Sequence, residues 1–422
     1  MIRMIVLCLG LLANLIAAAA EPTYPRARPL TDRTFERTEA RVERGRYLTE
    51  HLLQCFVCHS ERDWDLPGAP PKAGRKGAGY VMSEREGRRI VAPNITPDPE
   101  TGAGRWTDDM LARAIREGIG HDGRPLYWGM WYRSFSGLAD EDLAAVVVYL
   151  RTLPAVHNAL PPTVLPPQEA AANATNPRPI TAPVSGPAPG DSLALGRYLI
   201  GVADCTGCHT GWEAPRNPGL LGGGNHLSRR GGRDVFSTNI TRHESGVGYP
   251  RQAFIDVMRS GKGGSLHPVM PWTAFSGLTD TDLGAIYDAL GLARPVAHYV
   301  GNVGEPKRCG VCGQEHPFGD VNRLELPAPV AVPAAVMERL VGEYVAAAEG
   351  WTIKVTARDG KLYAQDNFVP EPVELIALSP ERYLPTAVFP APLRFTLPET
   401  GVATQLVSEE IDELVLERAA SQ

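Results

Sequence analysis

One five-residue signature occurs twice in this chain and constrains its fold more than any other feature: Cys55-Phe56-Val57-Cys58-His59 and Cys205-Thr206-Gly207-Cys208-His209. Each copy sits in the same longer programme, so residues 45–153 and 196–290 read as two versions of one unit. Gly45-Arg46-Tyr47-Leu48 leads into the first signature and Gly196-Arg197-Tyr198-Leu199 into the second. Further on, Asn94-Ile95-Thr96 with Thr101-Gly102-Ala103-Gly104 is echoed by Asn239-Ile240-Thr241 with Ser245-Gly246-Val247-Gly248. Each copy closes on Phe-Ser-Gly-Leu (135–138 and 275–278) and an acidic helix start at Asp140 or Asp280.

Helix signals fall in the same order in both copies. Amphipathic stretches at Thr38–Leu53 and Leu193–Val202 lead into the cysteines, mid-unit helices follow at Thr107–Gly118 and Pro250–Ser260, and Asp140–Leu153 and Asp280–Leu290 end the units. Thr107 and Thr279 are good N-caps, and Asp108, Asp109, Asp280 and Asp282 fall in first turns, where the helix dipole favours an anion.

Two cysteines three positions apart on a helical turn present both sulfurs to one side, where they can form thioethers with the two vinyl groups of a haem. The histidine directly after them is then placed under the iron as proximal ligand. A zinc site would need four Cys/His ligands, and a disulfide would leave His59 and His209 without a role, so the signature predicts one covalent haem c per copy. The other axial position decides between saturated iron suited to electron transfer and an open iron able to bind ligands. Met130 and Met270 are the distal candidates, each five positions before the equivalent phenylalanine. His121 and His267 are the alternatives, and Trp106, Trp131 and Trp272 are candidate haem walls.

The remaining cysteines are Cys8, Cys309 and Cys312. Cys8 lies in Met1–Ala20, where Arg3, an apolar run from Met4 through Ile16 and four alanines before Glu21 read as a Sec-type signal peptide cleaved after Ala20. No later segment approaches the ~20 continuous apolar residues of a membrane span, so any membrane association would be peripheral or through an uncleaved signal. Export implies the periplasm and an oxidising setting. Cys309-Gly310-Val311-Cys312-Gly313 lacks the adjacent histidine and is expected to be a local disulfide, the alternative being a metal site from Cys309, Cys312 and His316 that is one ligand short. A net charge of −6 without clustered Lys and Arg excludes nucleic acid as a partner.

The 38 prolines and 43 glycines imply long irregular loops. Leu160 to Gly190, rich in Pro and Ala, reads as an extended linker. Beyond Met337 the pattern changes to strands, Trp351–Val355, Lys361–Ala364 and Leu393–Leu397, with Arg358-Asp359-Gly360-Lys361 as a hairpin turn. This tail resembles the small β-domain appended to some penicillin-binding-protein-like hydrolases, but no Ser-x-x-Lys or Gly-x-Ser-x-Gly motif accompanies it, so a docking or structural role is expected.

The repeated motifs, together with Pro93-Asn94-Ile95-Thr96-Pro97-Asp98, resemble the tandem class I cytochrome c domains of dihaem cytochromes and of the cytochrome subunits of membrane-associated alcohol and gluconate dehydrogenases, over roughly residues 40–294. The resemblance implies an α-helical fold around each haem, His/Met ligation and an Asn-Ile-Thr loop against the haem, which places Asn94 and Asn239 at the haem edges as cofactor-binding residues. Three departures stand out: Trp131 follows Met130 where the family has Pro, Arg242 replaces a Pro, and the third Cys pair lacks its histidine where those subunits commonly carry a third haem.

The expected architecture is a mainly α chain: signal peptide 1–20, cytochrome c domain 38–158, linker 159–190, second cytochrome c domain 191–294, connector 295–335 and small β-domain 336–422. The expected function is electron transfer between a dehydrogenase-type donor and a downstream acceptor, an electron carrier or subunit and not itself an enzyme. The rival is a dihaem peroxidase or sulfur-compound oxidase with one open haem, the first being the candidate because Met130 lacks its proline.

Overall fold

The computed structural model describes residues 27–420 apart from 67, 231–232, 264–266, 268, 325, 348–349, 367–370, 387–391 and 410–413. The expected signal peptide, with Cys8, lies outside the described residues. Among those described, no helix is long and apolar enough to cross a membrane.

The first copy opens on α1 (Glu39–Tyr47), capped by the Thr38 hydroxyl and continued by one π-helical turn, Leu48–Leu52. The short helix α2 (Cys55–Cys58) carries the first signature. A two-stranded ribbon, β1 (Tyr80–Arg85) and β2 (Arg88–Ala92), precedes α3 (Asp108–Glu117), which Thr107 caps, then α4 (Tyr132–Phe135) and α5 (Asp140–Leu150). After α6 (Pro167–Ala174), the second copy repeats the order with α7 (Ser192–Val202), α8 (Cys205–His209), ribbon β3 (His226–Arg230) with β4 (Arg233–Phe236), α9 (Arg251–Ser260), α10 (Trp272–Phe275) and α11 (Asp280–Leu290), capped by Thr279. In each copy the first helix packs on the last, α1 on α5 and α7 on α11. One buried apolar cluster runs from Leu48 to Ala293 through both copies, so the two units share a core.

Residues 159–190 do not hang free. Val164 exchanges two backbone hydrogen bonds of 2.8 Å with Arg89, and Arg88 pairs with Glu169 on α6 at 2.9 Å. Asn173, buried at the end of α6, accepts from Trp128 N and donates to Leu126 O, gripping the loop that carries Met130.

After the connector ribbon β5 (Lys307–Arg308) and β6 (Glu315–His316), helix α12 (Ala334–Leu340) leads into eight antiparallel strands: β7 (Gly342–Ala346), β8 (Trp351–Arg358), β9 (Lys361–Asp366), β10 (Val373–Ala377), β11 (Arg382–Pro385), β12 (Leu393–Thr396), β13 (Gln405–Ser408) and β14 (Leu414–Arg418). They pair in chain order and β14 returns to β7 through Glu417↔Val345 and Arg418↔Tyr344, closing a barrel. Asp359 and Gly360, at φ 51° and 72°, form the two-residue turn between β8 and β9. Alternate residues such as Tyr344, Ile353, Val355, Leu362, Ala364 and Phe395 fill the interior, as an eight-stranded barrel allows.

The expectation of a mainly α chain is therefore corrected: 29% of residues are helical and 19% are strand, and the tail is a closed barrel. Two causes combine. The two repeated units are built from short helices separated by Gly- and Pro-rich loops, and closure of β14 on β7 is a long-range pairing that local patterning does not reveal. Cys309 and Cys312, expected as a disulfide, carry free thiols.

Candidate functional site

Both signature helices begin after a left-handed residue, Gln54 and Asp204, each at φ 55°. That turn reverses the chain out of α1 or α7 and brings the two cysteines to one side of a single helical turn. Burial is the main cause that pushes the Cys55 and Cys205 thiols up to about 12, so the sulfurs sit as neutral SH groups in apolar surroundings.

The histidines are oriented alike. His59 Nδ1–H donates to Pro93 O at 2.8 Å and His209 Nδ1–H to Thr238 O at 2.7 Å. A carbonyl can only accept, so the proton is on Nδ1 and each Nε2 keeps a lone pair for a metal. Burial pushes both imidazoles below their ordinary pKa, which keeps them neutral as ligation requires. Their backbone carbonyls accept from Gly79 N at 2.9 Å and Gly223 N at 2.7 Å. At both glycines φ is positive, and a Cβ on Gly223 would meet Thr238 C and Asn239 N at 2.5 Å, so only glycine lets the strand pass so close behind the histidine.

Asn94 and Asn239 build the carbonyl-bearing turns. Asn94 Oδ1 accepts from Thr96 N at 3.0 Å and Thr96 Oγ1 at 2.7 Å, and its Nδ2 donates to Val156 O at 2.7 Å and Thr101 Oγ1 at 3.2 Å. Asn239 repeats this with Thr241, Val296 O and Ser245 Oγ at 2.6–2.9 Å. Each asparagine ties its Asn-Ile-Thr turn to the segment after the last helix, and the preceding residue's carbonyl is thereby aimed at the histidine.

The distal candidates differ between copies. Met130 Sδ lies 3.4 Å from His59 Nε2, on a short helical turn, Trp128–Met130, held by Asn173. Two thiols, an imidazole nitrogen with its lone pair free and a thioether facing it are the donor set of a c-type haem, and since the two axial atoms stand closer than an iron between them allows, binding would part them. Met270 comes within hydrogen-bonding range of no His209 atom; it lines a cavity of about 290 Å³ with Arg62, Trp64 and Leu66 of the first copy and Trp272. The alternatives are occupied elsewhere: His121 stacks on Trp106 at a centroid distance of 4.4 Å, and His267 Nδ1 accepts from Val269 N at 3.1 Å.

Sequence reading did not anticipate how the copies interlock. Tyr47 OH donates to Asp282 and accepts from Thr279 N at 3.0 Å, while Tyr198 OH donates to Asp142 at 2.6 Å and accepts from Ala139 N at 3.3 Å. The tyrosine of each Gly-Arg-Tyr-Leu thus caps the last helix of the other copy, a pseudo-twofold exchange. Beside it, Ser134 Oγ donates to Asp204 at 2.6 Å and His51 Nδ1 to Ala274 O at 3.0 Å. The two signatures face each other across this joint: burial, Asp204 and the Cys58 sulfur together push the Cys208 thiol up to about 11. The repeated tyrosine was visible in the sequence, but its cross-copy partner was not.

No family model matches the chain. It is similar to the fructose dehydrogenase cytochrome subunit of Gluconobacter japonicus, 29% identical over 63% of this chain and 55% of that protein. The gluconate 2-dehydrogenase cytochrome c subunit of Pantoea cypripedii is 33% identical over 41% of this chain and 38% of its own length. A diheme cytochrome c-type protein of Cereibacter sphaeroides is 30% identical over 39% and 54%. The chain thus spans little more than half the length of these curated relatives, or less.

Proposed function

From the chain's likeness to dihaem cytochromes c and dehydrogenase cytochrome subunits, we propose that it is a periplasmic electron-transfer protein that holds two covalent haems c and relays electrons from a dehydrogenase-type partner to a downstream acceptor. Its tandem signatures, its relatives among dehydrogenase cytochrome subunits and the facing His59 and Met130 support the reading. Bound at the signatures, haem supplies a one-electron iron couple whose potential is set by axial ligand, burial and hydrogen bonding.

The chain's own residues do the rest. Cys55, Cys58, Cys205 and Cys208 fasten the groups. His59 and His209, fixed through Pro93 O and Thr238 O, offer Nε2 as proximal ligands. Met130 and Met270 are the proposed distal ligands, and Asn94 and Asn239 act as positioning residues through the histidines. The observation that carries the relay is the reciprocal Tyr47–Asp282 and Tyr198–Asp142 joint, which ties the two copies directly to each other over a shared apolar core. Stopped-flow reduction of the purified protein by a quinone-dependent sugar or alcohol dehydrogenase tests this: both haems should reduce in sequence at partner-dependent rates, and a protein inert to every such donor would count against the reading.

One observation favours a second reading, an enzyme with one open haem. The sequence pointed to the first site as the open one, whereas here Met130 faces His59 and it is Met270 that lines a cavity. Carbon monoxide binding by half of the reduced haem would favour the enzyme; no binding favours the carrier.

A further inference from the structure

The connector after the second copy brings together four side chains that the haem sites do not use. His298, Cys309, Cys312 and His316 are buried, and one donor atom from each lies within 4.8 Å of all the others. Two of them were visible as a Cys pair and a third as a nearby histidine. The fourth, His298, comes from the irregular segment leaving α11, eleven residues before Cys309.

The polar atoms around the cluster are arranged for a cation. His298 Nδ1–H donates to Gly222 O at 2.7 Å, so Nε2 bears the lone pair, and that buried Nε2 has no hydrogen-bond partner. His316 Nδ1–H donates to Pro317 O at 3.0 Å, which turns its Nε2 to within 3.4 Å of Cys312 Sγ. Cys309 Sγ accepts from the backbone N–H of Val311 and of Cys312, both at 3.4 Å, an arrangement that stabilises a thiolate in the tight loop between β5 and β6. An unpaired buried imidazole nitrogen costs free energy unless something occupies its lone pair. Within the cluster only the Cys309 sulfur lies beside it, and a thiol is a weak donor.

We propose that these four residues form a closed tetrahedral Cys2His2 site for a structural zinc ion. With zinc–sulfur bonds of about 2.3 Å and zinc–nitrogen bonds of about 2.0–2.1 Å, the edges of such a tetrahedron are roughly 3.3–3.8 Å, and the Cys312–His316 separation already meets that. Two thiolates with two imidazoles in tetrahedral array select zinc over the oxygen-seeking cations. Full burial and four protein donors leave no open position, so the ion is structural and not catalytic. Its carbonyl partners Gly222 and Pro317 act as the outer shell that fixes both imidazoles.

The site also has a purpose in the fold. Gly222, which orients His298, adjoins Gly223, whose N–H holds the carbonyl of His209, and Cys312 O accepts from Arg216 N at 3.0 Å. His298 N also donates to Ser245 Oγ, which accepts from Asn239. Zinc would pin the connector, and with it the path to the barrel, onto the loops that brace the second proximal histidine.

Elemental analysis of the full-length holoprotein after dialysis against EDTA tests the site, and zinc and iron counts separate its failure from that of the haem reading. One zinc per chain is expected, lost in His298→Ala and in Cys309→Ser/Cys312→Ser, and retained in His316→Cys. Should the serine variant fail to accumulate, the wild-type count and the His316→Cys and His298→Ala pair decide the matter. Wild-type protein with no zinc, a Cys309–Cys312 disulfide in its peptide map, a third iron in place of zinc, or zinc that His298→Ala leaves bound would each overturn the proposal.

Discussion

Replacing Gly196 by alanine probes why each copy opens on glycine. In α7 a Cβ at this position would lie 2.6 Å from both the Ala285 carbonyl carbon and the Ala289 Cβ, and closer still to the Ala285 oxygen. Carbon atoms pack at about 3.5–4.0 Å, so α7 and α11 would have to part by about 1 Å along their buried seam. The obstacle is backbone and a short side chain, neither of which can swing away. Overpacking of this kind costs about 3 kcal/mol at the upper end of its usual range, offset by about 1 kcal/mol from the better helix propensity of alanine, for a net loss of about 2 kcal/mol. At about 2–4 °C per kcal/mol for a unit of this size, the melting transition followed at the Soret band should fall by roughly 4–8 °C. Gly201 supplies the control on the same helix: it is exposed, and a Cβ there would meet nothing within 4 Å. Gly201→Ala should be neutral or stabilise by up to about 1 kcal/mol. If Gly196→Ala were as stable as Gly201→Ala, the close crossing of α7 and α11 would be wrong. The same crossing recurs between Gly45 and Ala145.

Removing one hydroxyl of the cross-copy joint, Tyr198→Phe, leaves Asp142 with Arg44 alone and should cost about 1.5–3 kcal/mol, the range for hydrogen bonds to a charged partner; redox titration should also show weakened interaction between the two haem potentials. Acid should loosen the segment before α1, where Arg28 and Thr31 bond to Asp109 of α3: burial pushes the Asp109 carboxyl up, but the Arg28 guanidinium and Thr31 outweigh it and hold the group below its ordinary pKa. A depressed folded pKa means stability that is complete above the unfolded value of about 3.9 and lost as pH falls through the folded one, so Asp109→Asn should flatten the acid limb of the stability curve below about pH 4 relative to wild type. Met130→Ala should abolish the far-red charge-transfer band of a Met-ligated ferric haem from the first site and Met270→Ala that from the second; a variant that keeps the full band would show that its methionine is not the distal ligand.

Much of the candidate site was legible because it is spelled in rare residues at fixed spacing. Cys-x-x-Cys-His singled out the histidines proposed as proximal ligands, and Thr107 and Thr279 marked helix starts that the structure shows within a residue. Other parts depend on contacts between residues far apart in the chain. The Asn-Ile-Thr repeat was visible, but that it aims a carbonyl at the histidine depends on Val156 and Val296, more than fifty residues away. The partner of Tyr47 lies 235 residues on. His298 was a lone histidine in the sequence, and only its place beside the β5–β6 loop brings it to Cys309, Cys312 and His316. The barrel's strands were partly legible from alternation, whereas its closure rests on pairing between its first and last strands.

The central claim, that iron porphyrin is fastened to this chain at both signatures, is tested most directly by peptide mass mapping of holoprotein made in a host able to attach haem. The account predicts that the peptides containing Cys55–His59 and Cys205–His209 each carry one haem through both sulfurs. Recovery of either peptide with free cysteines or a disulfide would contradict it.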